Sequence, residues 1–350
     1  MRSVSLVVVC HRSSEVLPAC VESFRREAEA AGVEAEAVVV EQSEDAEEAR
    51  RVADAACDVL LERPNRGYAA GLNAGVAAAG GEVLLLANPD IRFFDGSLRA
   101  LMAALGEGFD VVGPRFVWDA DGVVMLPPAE DPSPSAELGR GLRRRSRWAW
   151  SRGLSGCLEE TWRVWTAEAT LAVNSLRGAL LAVSRETIDR LGVFDEGYFL
   201  YYEETEWLWR ARRRGARLGL AAGARVQHRW GHATQARDDA IELEERSRQR
   251  FFRRNYGQPW RWALASAIGR AGRAPITVNQ LFGSAEIPKR EADLWLASPN
   301  PHLLPALGCT RAVGFPHEFV DFCHTWGWVV AAADRDGSTW RIADAWTWDG

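Results

Sequence analysis

Short apolar runs alternate with helical patterns over the first 117 residues, and this alternation restricts the fold most strongly. Five runs read as strands: SLVVVC, AEAVVVE, DVLLE, EVLLLANPD and DVVGPRFV. Helical patterns separate them at about residues 15–30, 45–56, 67–80 and 97–105. Strands joined through helices require crossover connections, which predicts an α/β fold with a mostly parallel central sheet and helices on both faces.

Composition limits the class of protein further. The chain has 350 residues, 47% of them hydrophobic and 26% charged, which is enough for one large domain and a further module. A net charge of -6 gives no reason to expect a nucleic-acid partner. Six cysteines without a C-x-x-C pair indicate neither a zinc cluster nor a disulfide framework, and a reducing cytoplasm fits best. No apolar run approaches the ~18 residues that cross a bilayer, so we expect a cytoplasmic protein, soluble or on a membrane surface.

The later part of the chain changes character twice. Residues 118–174 contain four prolines followed by GRGLRRRSRWAWSRG, which predicts a long excursion or mobile loop. A second ordered block covers residues 175–260, which completes a first domain over 1–260. Residues 275–350 are rich in tryptophan and predict a separate small module with a hairpin turning at Asp336-Gly337. We expect its tryptophans to fill its core or an oligomer contact rather than to stack on sugars.

The stretch LLLANPDIRF interrupts an apolar run with Asn88-Pro89-Asp90. Proline cannot donate to a β-ladder, so the strand ends there and Asp90 lies at its carboxyl end, where ligands of such sheets bind. His11 and Glu41 also lie at strand ends. Asp90 has two interpretations: it belongs only to a turn, or it binds a hard cation such as Mg²⁺ or Mn²⁺ whose shell substrate phosphates complete.

Three glycines, Gly67, Gly71 and Gly75, share one face of the small-residue helix in RPNRGYAAGLNAGVAAAGG. Close packing of the helix on the sheet explains them in part, whereas the Asn-Arg-Gly start and Asn73 are less easily explained by packing. The stretch matches neither G-x-G-x-x-G after the first strand nor a P-loop.

Glu203 and Glu204 follow an aromatic run directly in FLYYEETEWLWRARRRG. Favourable helix-dipole and i,i+4 contacts explain Glu206, which pairs with Arg210, but not the two adjacent glutamates. Apolar surroundings would raise the pKa of a carboxyl toward that of a general base. His228, which follows GARVQ at another strand end, is a candidate metal or phosphate contact, whereas a structural role is the simpler reading of His232.

Taken together, these clusters resemble the family 2 glycosyltransferases of GT-A fold, particularly their bacterial rhamnosyltransferase-like branch. The resemblance covers residues 3 to about 256. The matching stretches are VSLVVVCHRSSEVLPACVESF, RGYAAGLNAGVAAAGGEVLLLANPD and RGALLAVSRETIDRLGVFDEGYFLYYEETEWLWRARRRG. The resemblance implies a nucleotide-sugar half over 1–117, a variable acceptor-side excursion over 118–174 and an acceptor or catalytic half over 175–260.

The resemblance also implies roles for individual residues. Glu203 and Glu204 match the catalytic acid pair, with Glu204 as the base. Asp90 matches the metal-binding acid of the D-x-D motif, and His228 matches the late histidine, so the implied metal ligands of Mg²⁺ or Mn²⁺ are Asp90 and His228. The implied nucleotide-sugar contacts are Cys10, His11, Glu41, Arg66, Gly67, Asn73 and Asp90. The implied acceptor-side residues are Arg177, Gly178 and Trp230.

The chain departs from the family pattern in several places. Glu41 and Glu204 stand where aspartate is usual, Cys10-His11-Arg12 replaces Thr-Tyr-Asn, and Trp207 and Trp209 occupy positions expected to be aliphatic. Each longer acid keeps its charge but moves it by about one methylene, which bears on the placement of the base and on donor identity.

The activity implied is inverting, metal-dependent transfer from a nucleoside-diphosphate sugar, with dTDP-rhamnose or a UDP-sugar favoured, as in cell-wall polysaccharide biosynthesis. The acceptor would be a hydroxyl of a glycan, a lipid-linked molecule or a small molecule. One alternative is a nucleotide-sugar- or glycan-binding protein that keeps the fold without turnover. A nucleotidyltransferase is disfavoured because its lysine-containing glycine-rich loop is absent. Residues 140–152 predict a solvated loop, a lid or a peripheral contact with anionic lipid.

Overall fold

The computed structural model describes residues 3–55, 57–229, 239–257, 276–281, 286–287, 290–310 and 315–348. The chain divides into two compact units. The first consists of Met1–Phe116, Ala129–Pro132 and Glu168–Asn255, and the second of Val117–Pro128, Ser133–Ala167 and Tyr256–Gly350. Among the helices described, none is long and apolar enough to cross a membrane.

The described strands and helices are numbered here in chain order. The strands are β1 (Ser3–Cys10), β2 (Glu34–Glu41), β3 (Val59–Glu62), β4 (Val83–Ala87), β5 (Ile91–Phe93), β6 (Val111–Val117), β7 (Leu171–Val173), β8 (Leu180–Ser184), β9 (Leu218–His228), β10 (Asn279–Leu281), β11 (Leu294–Ser298), β12 (Leu307–Thr310), β13 (Val329–Asp336) and β14 (Thr339–Trp348). The helices are α1 (Leu17–Ala31), α2 (Ala46–Ala53), α3 (Tyr68–Ala78), α4 (Ser97–Gly106), α5 (Pro134–Arg145), α6 (Arg147–Trp165), α7 (Arg185–Leu191), α8 (Glu203–Arg213), α9 (Ala240–Tyr256) and α10 (His317–Thr325).

The first unit is built on a mixed sheet with the order β3-β2-β1-β4-β8-β6-β9-β5, in which β7 also pairs with β9. Strands β3, β2, β1 and β4 are parallel, as the strand-helix alternation predicts. Strand β8 runs antiparallel to β4 and β6, and β9 runs antiparallel to β5 and β7. The α/β class is confirmed, but the sheet is parallel only in its first half, because β8 is reached through the long excursion rather than through a single crossover helix.

Helices α3 and α1 cover opposite faces of the parallel strands. A Cβ atom on Gly75 would lie 2.4 Å from Val7 Cγ1, and one on Gly71 would lie 2.6 Å from Val9 Cγ1. Successive side chains of a strand point to opposite faces, so Cys10 lies away from α3, on the side where Cys20 of α1 is its neighbour. The packing interpretation of Gly71 and Gly75 therefore holds, because their missing side chains let α3 approach β1.

The second unit contains a sheet with the order β10-β14-β13-β11-β12. Strands β13 and β14 form the predicted hairpin, in which Asp336 pairs with Thr339 and Gly337 has a φ of 61°. Most tryptophans of this region are buried, namely Trp295, Trp328, Trp340, Trp346 and Trp348. Their burial agrees with a role in core packing, whereas Trp326 is exposed.

Residues 118–174 differ most from their prediction. The expected loop is wrong over α5 and α6, which are helices of 12 and 19 residues. Helix α6 buries residues at helical spacing, among them Trp150, Leu154 and Leu158. The prolines before α6 and the arginines within it make this row of buried positions hard to recognise in the sequence. Most of the excursion belongs to the second unit rather than to a domain over 1–260, and only Ala129–Pro132 and the part from Glu168 onward belong to the first.

Candidate active site

Asp90 and His228 lie side by side at the carboxyl edge of the first sheet. Strand β4 ends at Ala87, and β5 pairs with β9 so that Ile91 stands opposite His228. His228 Nε2 is 3.6 Å from Asp90 Oδ2, and the Nδ1 atom of His228 is buried without a hydrogen-bond partner. This separation is long for a hydrogen bond but suits two ligands of one ion, which lie about 3 Å apart when each metal bond is about 2.1 Å.

The electrostatics of this edge favour a neutral imidazole. Burial lowers the pKa of His228, the Asp90 carboxylate raises it, and the nearby Arg177 cation lowers it. Neutral imidazole is the form that binds metals. Among the described residues, no group of three or more His, Cys, Asp or Glu side chains is arranged to hold a metal ion, so Asp90 and His228 would leave positions for other ligands.

Glu203, which is buried, and Glu204, which is half-buried, form a carboxyl pair at the start of α8, linked by a side-chain hydrogen bond. Burial raises the pKa of both, and for Glu203 the neighbouring Glu204 charge adds to it, so the pKa of Glu203 is well above its usual range. Glu203 therefore keeps its proton and donates it to Glu204. The Oε2 atom of Glu204 is buried without a hydrogen-bond partner, which leaves it able to accept a proton.

The protonated state of Glu203 predicts a pH-dependent stability. Folding raises the pKa of Glu203. The stability that Glu203 contributes is therefore fully present below its pKa in the unfolded chain, near 4.5, and is lost as the pH rises toward its pKa in the folded protein. Between these two pKa values, the free energy of unfolding of the wild type should fall by about 1.4 kcal/mol per pH unit relative to that of Glu203→Gln. Melting temperatures of both proteins across pH measure this difference. Parallel curves would show that Glu203 is ionised in the folded protein.

The turn before α8 positions Glu203 and Glu204 at the start of the helix. Tyr201 and Tyr202 both have positive φ, at 64° and 67°, which costs roughly 1–3 kcal/mol for each such non-glycine residue. Helix α9 fastens this turn, since Ser247 Oγ donates to the Leu200 carbonyl at 2.8 Å and the Tyr202 and Phe251 rings lie 5.6 Å apart. The sequence shows this segment only as an aromatic run, and nothing in that run predicts the strained turn.

The predicted acceptor-side residues Gly178 and Arg177 both lie against Glu204. A Cβ atom on Gly178 would lie 2.3 Å from Glu204 Cγ, so only glycine leaves room for that side chain. Burial lowers the pKa of Arg177 to about 10, while the charges of Glu130 and Glu204 oppose this shift. Arg177 therefore remains a cation at neutral pH beside the carboxyl pair.

Tyr68 connects the two parts of the site and was missed in the sequence. Its hydroxyl donates to Asn88 Oδ1 at 2.9 Å, two residues before Asp90 in the chain. Burial raises its pKa well above the usual range, and the charges of Glu204 and Asp90 add to this shift. Tyr68 thus lies near both Asp90 and the carboxyl pair. A tyrosine at the first position of a helix otherwise made of small residues is the signal that could have identified it.

Glu41 and Cys10 occupy neighbouring strand ends, since β1 pairs them in register with β2. Glu41 is buried; its Oε1 accepts from the Ser43 amide, and its Oε2 has no hydrogen-bond partner. Burial raises the pKa of Cys10 to about 12, which keeps its thiol neutral. His11 is exposed. Of these three predicted contacts, Glu41 alone presents a buried acceptor atom that a ligand donor could satisfy.

The start of α3 lies against the segment that leads to α8. Gly67 has a φ of 98°, a Cβ atom there would lie 2.5 Å from the Phe199 carbonyl oxygen, and the Tyr68 amide donates to that oxygen at 2.8 Å. Arg66 is exposed and lies 3.5 Å from Glu196.

Asn73 has main-chain partners in the structure, and its predicted contact with the nucleotide sugar stays a prediction. Its Oδ1 accepts from the Phe194 amide and its Nδ2 donates to the Phe194 carbonyl, both at 3.0 Å, so the amide fastens α3 to the loop before α8. Trp230 and His232 lie outside the described residues.

Residues 5–157 match the family described as Glycosyl transferase family 2. A Haloferax volcanii protein named "Low-salt glycan biosynthesis hexosyltransferase Agl10" is 27% identical over 161 residues, which cover 44% of this chain and 46% of that protein. The Mycobacterium tuberculosis "N-acetylglucosaminyl-diphospho-decaprenol L-rhamnosyltransferase" is 28% identical over 223 residues, 58% of this chain and 70% of that protein. Over residues 5–157 the chain is therefore similar to the family 2 glycosyltransferases. The mycobacterial relative supports the resemblance to their rhamnosyltransferase-like branch.

The mixed α/β sheet of the first unit, together with this family match, agrees with the GT-A fold. The chain spans about half the length of the Haloferax relative. A solved structure titled "Crystal structure of GalNAc-T7 with UDP, GalNAc and Mn2+" aligns at 16% identity and a TM-score of 0.47, covering 72% of this chain and 48% of that one. The match to the family includes Glu41 and Asp90, whereas Glu204 and His228 lie beyond its last residue.

Proposed function

We propose that this protein transfers a hexosyl group from a nucleoside-diphosphate sugar to an acceptor hydroxyl, with inversion at the anomeric carbon and with a divalent cation. One observation carries the proposal: Tyr68 is near both Asp90, which lies against His228, and the Glu203–Glu204 carboxyl pair. The name of the mycobacterial relative supports a deoxyhexose donor such as dTDP-rhamnose, with a UDP-sugar as the second choice, and a glycan or lipid-linked acceptor. Such a reaction belongs to cell-wall polysaccharide biosynthesis at the cytoplasmic face of the plasma membrane.

Glu204 is the proposed general base. Its free Oε2 takes the proton of the acceptor hydroxyl as the hydroxyl oxygen attacks the anomeric carbon. The attack comes from the face opposite the diphosphate, which leaves with the bonding electrons, so the configuration inverts through an oxocarbenium-like transition state. Glu203 acts as a positioning residue, because the proton it donates fixes the other oxygen of Glu204.

Asp90 and His228 are the proposed ligands of Mg²⁺ or Mn²⁺, and Glu41 is the proposed nucleoside contact. The cation would neutralise charge that develops on the departing diphosphate. Two protein ligands suit this use, because phosphate oxygens can complete the coordination shell. The unpartnered Oε2 of Glu41 offers an acceptor for a hydroxyl or N–H of the nucleoside.

Nucleotide binding tests the donor site directly. We expect one nucleoside diphosphate or its sugar to raise the melting temperature of the wild type only when Mn²⁺ or Mg²⁺ is present. The stabilisation is about 2.7 kcal/mol at a ligand concentration 100 times Kd, and it should vanish in Asp90→Ala. The measurement is thermal shift across a panel of bases, each with and without metal.

Asp95→Ala is the matched control, since that carboxylate is exposed on the same segment of chain, and it should respond as the wild type does. A protein that no nucleotide stabilises in any condition would contradict the transferase proposal and favour a glycan-binding role. If a nucleotide raises the melting temperature equally without metal, the proposed metal dependence is contradicted and the proposed nucleotide site is supported.

A further inference from the structure

Residues 138–158 are strongly basic in an acidic chain. This stretch contains six arginines and no acidic residue, although the whole chain carries a net charge of -6. The arginines are Arg140, Arg143, Arg144, Arg145, Arg147 and Arg152. Acidic residues flank this stretch directly, at Glu137 and Glu159. Concentrating positive charge in this way indicates an anionic partner for this segment.

Apolar side chains are exposed within the same segment, where α5 ends and α6 begins. Leu142 is 58% exposed and Trp148 is 70% exposed. Arg147 and Arg152 are exposed as well, and the Arg152 guanidinium lies 5.2 Å from the centre of the Trp148 ring. We call Leu142, Arg147, Trp148 and Arg152 the arginine–tryptophan surface.

The opposite side of α6 holds this surface firmly in place. Two residues from Trp148, Trp150 is buried and its Nε1 donates to the His302 carbonyl at 3.0 Å. Farther along, Ser155 Oγ accepts from the Trp340 amide at 2.9 Å. The helix thus presents one tryptophan to the core and another to solvent. Packing inside the second unit accounts for Trp150 but not for Trp148.

We infer that the arginine–tryptophan surface docks on an anionic phospholipid membrane. Each arginine near such a surface contributes about 1 kcal/mol, and tryptophan prefers the boundary between headgroups and acyl chains. The pairing of exposed apolar anchors with arginines distinguishes this surface from a purely polyanion-binding one, which needs charge but no anchors. Docking stands independently of catalysis; where the proposed acceptor is lipid-linked, it would bring the enzyme to the membrane that holds the acceptor.

Vesicle co-sedimentation of the full chain tests this inference, with phosphatidylcholine vesicles prepared with and without phosphatidylglycerol. We expect binding only to the anionic vesicles, weakening as salt rises. The double variant Arg147→Gln/Arg152→Gln should bind about 30-fold more weakly, because two charges worth about 1 kcal/mol each are lost. Trp148→Ser should weaken binding as well, and its effect should persist at high salt.

Matched controls come from exposed residues elsewhere. Arg246→Gln/Arg253→Gln removes two exposed arginines of α9, and Trp326→Ser removes an exposed tryptophan. Both should bind vesicles as the wild type does, and melting temperatures should show that every variant is folded. Equal losses in controls and test variants, or no binding to either vesicle, would overturn the inference.

A labelled single-stranded oligonucleotide separates lipid from other polyanions. Tighter binding to the oligonucleotide than to the vesicles, sensitive to the arginines but not to Trp148, would overturn the membrane assignment. No donor or acceptor is present in these assays. Their outcome is therefore independent of whether the transferase proposal succeeds.

Discussion

Glu204→Gln should lose sugar transfer by about 10³-fold while it binds the donor nucleotide as the wild type does. Glutamine has the shape of glutamate but cannot take a proton from the acceptor hydroxyl. The site should otherwise be retained, since Asp90 and Glu41 lie outside α8. Initial rates with the donor found by thermal shift, and melting temperatures with that donor, measure the two effects separately.

Glu203→Gln is the sharpest control for this variant. Its amide can still donate to Glu204, as the protonated carboxyl does in the wild type, so we expect transfer within about tenfold of the wild-type rate. If Glu203→Gln is inactive and Glu204→Gln is active, the base is Glu203. If both retain full transfer, neither glutamate is the base. If neither variant nor wild type transfers sugar, the protein is a binder that keeps the fold.

Gly178→Ala should reduce kcat by about 100-fold without unfolding the protein. The added methyl carbon would lie 2.3 Å from Glu204 Cγ and 2.7 Å from its Cδ, so the glutamate side chain must move. A shift of about 1 Å in a catalytic group is enough for such a loss. The KM for the donor should change little, because the clash is with the base and not with the Asp90 edge. Steady-state kinetics and a melting curve measure these quantities.

Gly156→Ala provides the comparison, since a Cβ atom there meets nothing within 4 Å and the position lies in α6. It should leave transfer unchanged and the protein equally or slightly more stable. Combining Gly178→Ala with Glu204→Gln should add no further loss, because both act through one side chain. Additive losses, or a large fall in the melting temperature of Gly178→Ala alone, would contradict the proposed role of this glycine.

Several parts of the site could be predicted from local sequence. The Asn-Pro interruption places Asp90 at a strand end, and β4 does end at Ala87. The adjacent pair Glu203 and Glu204 is unusual in a way that helix electrostatics do not explain, and the structure buries Glu203. Such signals depend on residues close in sequence, which is why they can be read without coordinates.

Other parts could not be predicted, because they depend on residues far apart in the chain. Asn73 is a predicted ligand contact, and the structure pairs it with the main chain of Phe194, 121 residues away. Tyr68 comes near both Asp90 and the glutamates only when α3 and α8 meet. The positive φ of Tyr201 and Tyr202 is imposed by packing from α9, against the preference of both residues.

Local sequence patterns were enough to predict the alternating strands and helices, the strand ends that carry Glu41 and Asp90, the hairpin at Gly337 and the adjacent glutamates. They were enough because strand periodicity, breaking residues and turn residues act over a few positions. Long-range packing, in contrast, sets the antiparallel direction of β8, the helical state of α5 and α6, and the contact of Gly178 with Glu204. Each of these depends on which distant surfaces pack together, and burial of apolar area between them outweighs local preference.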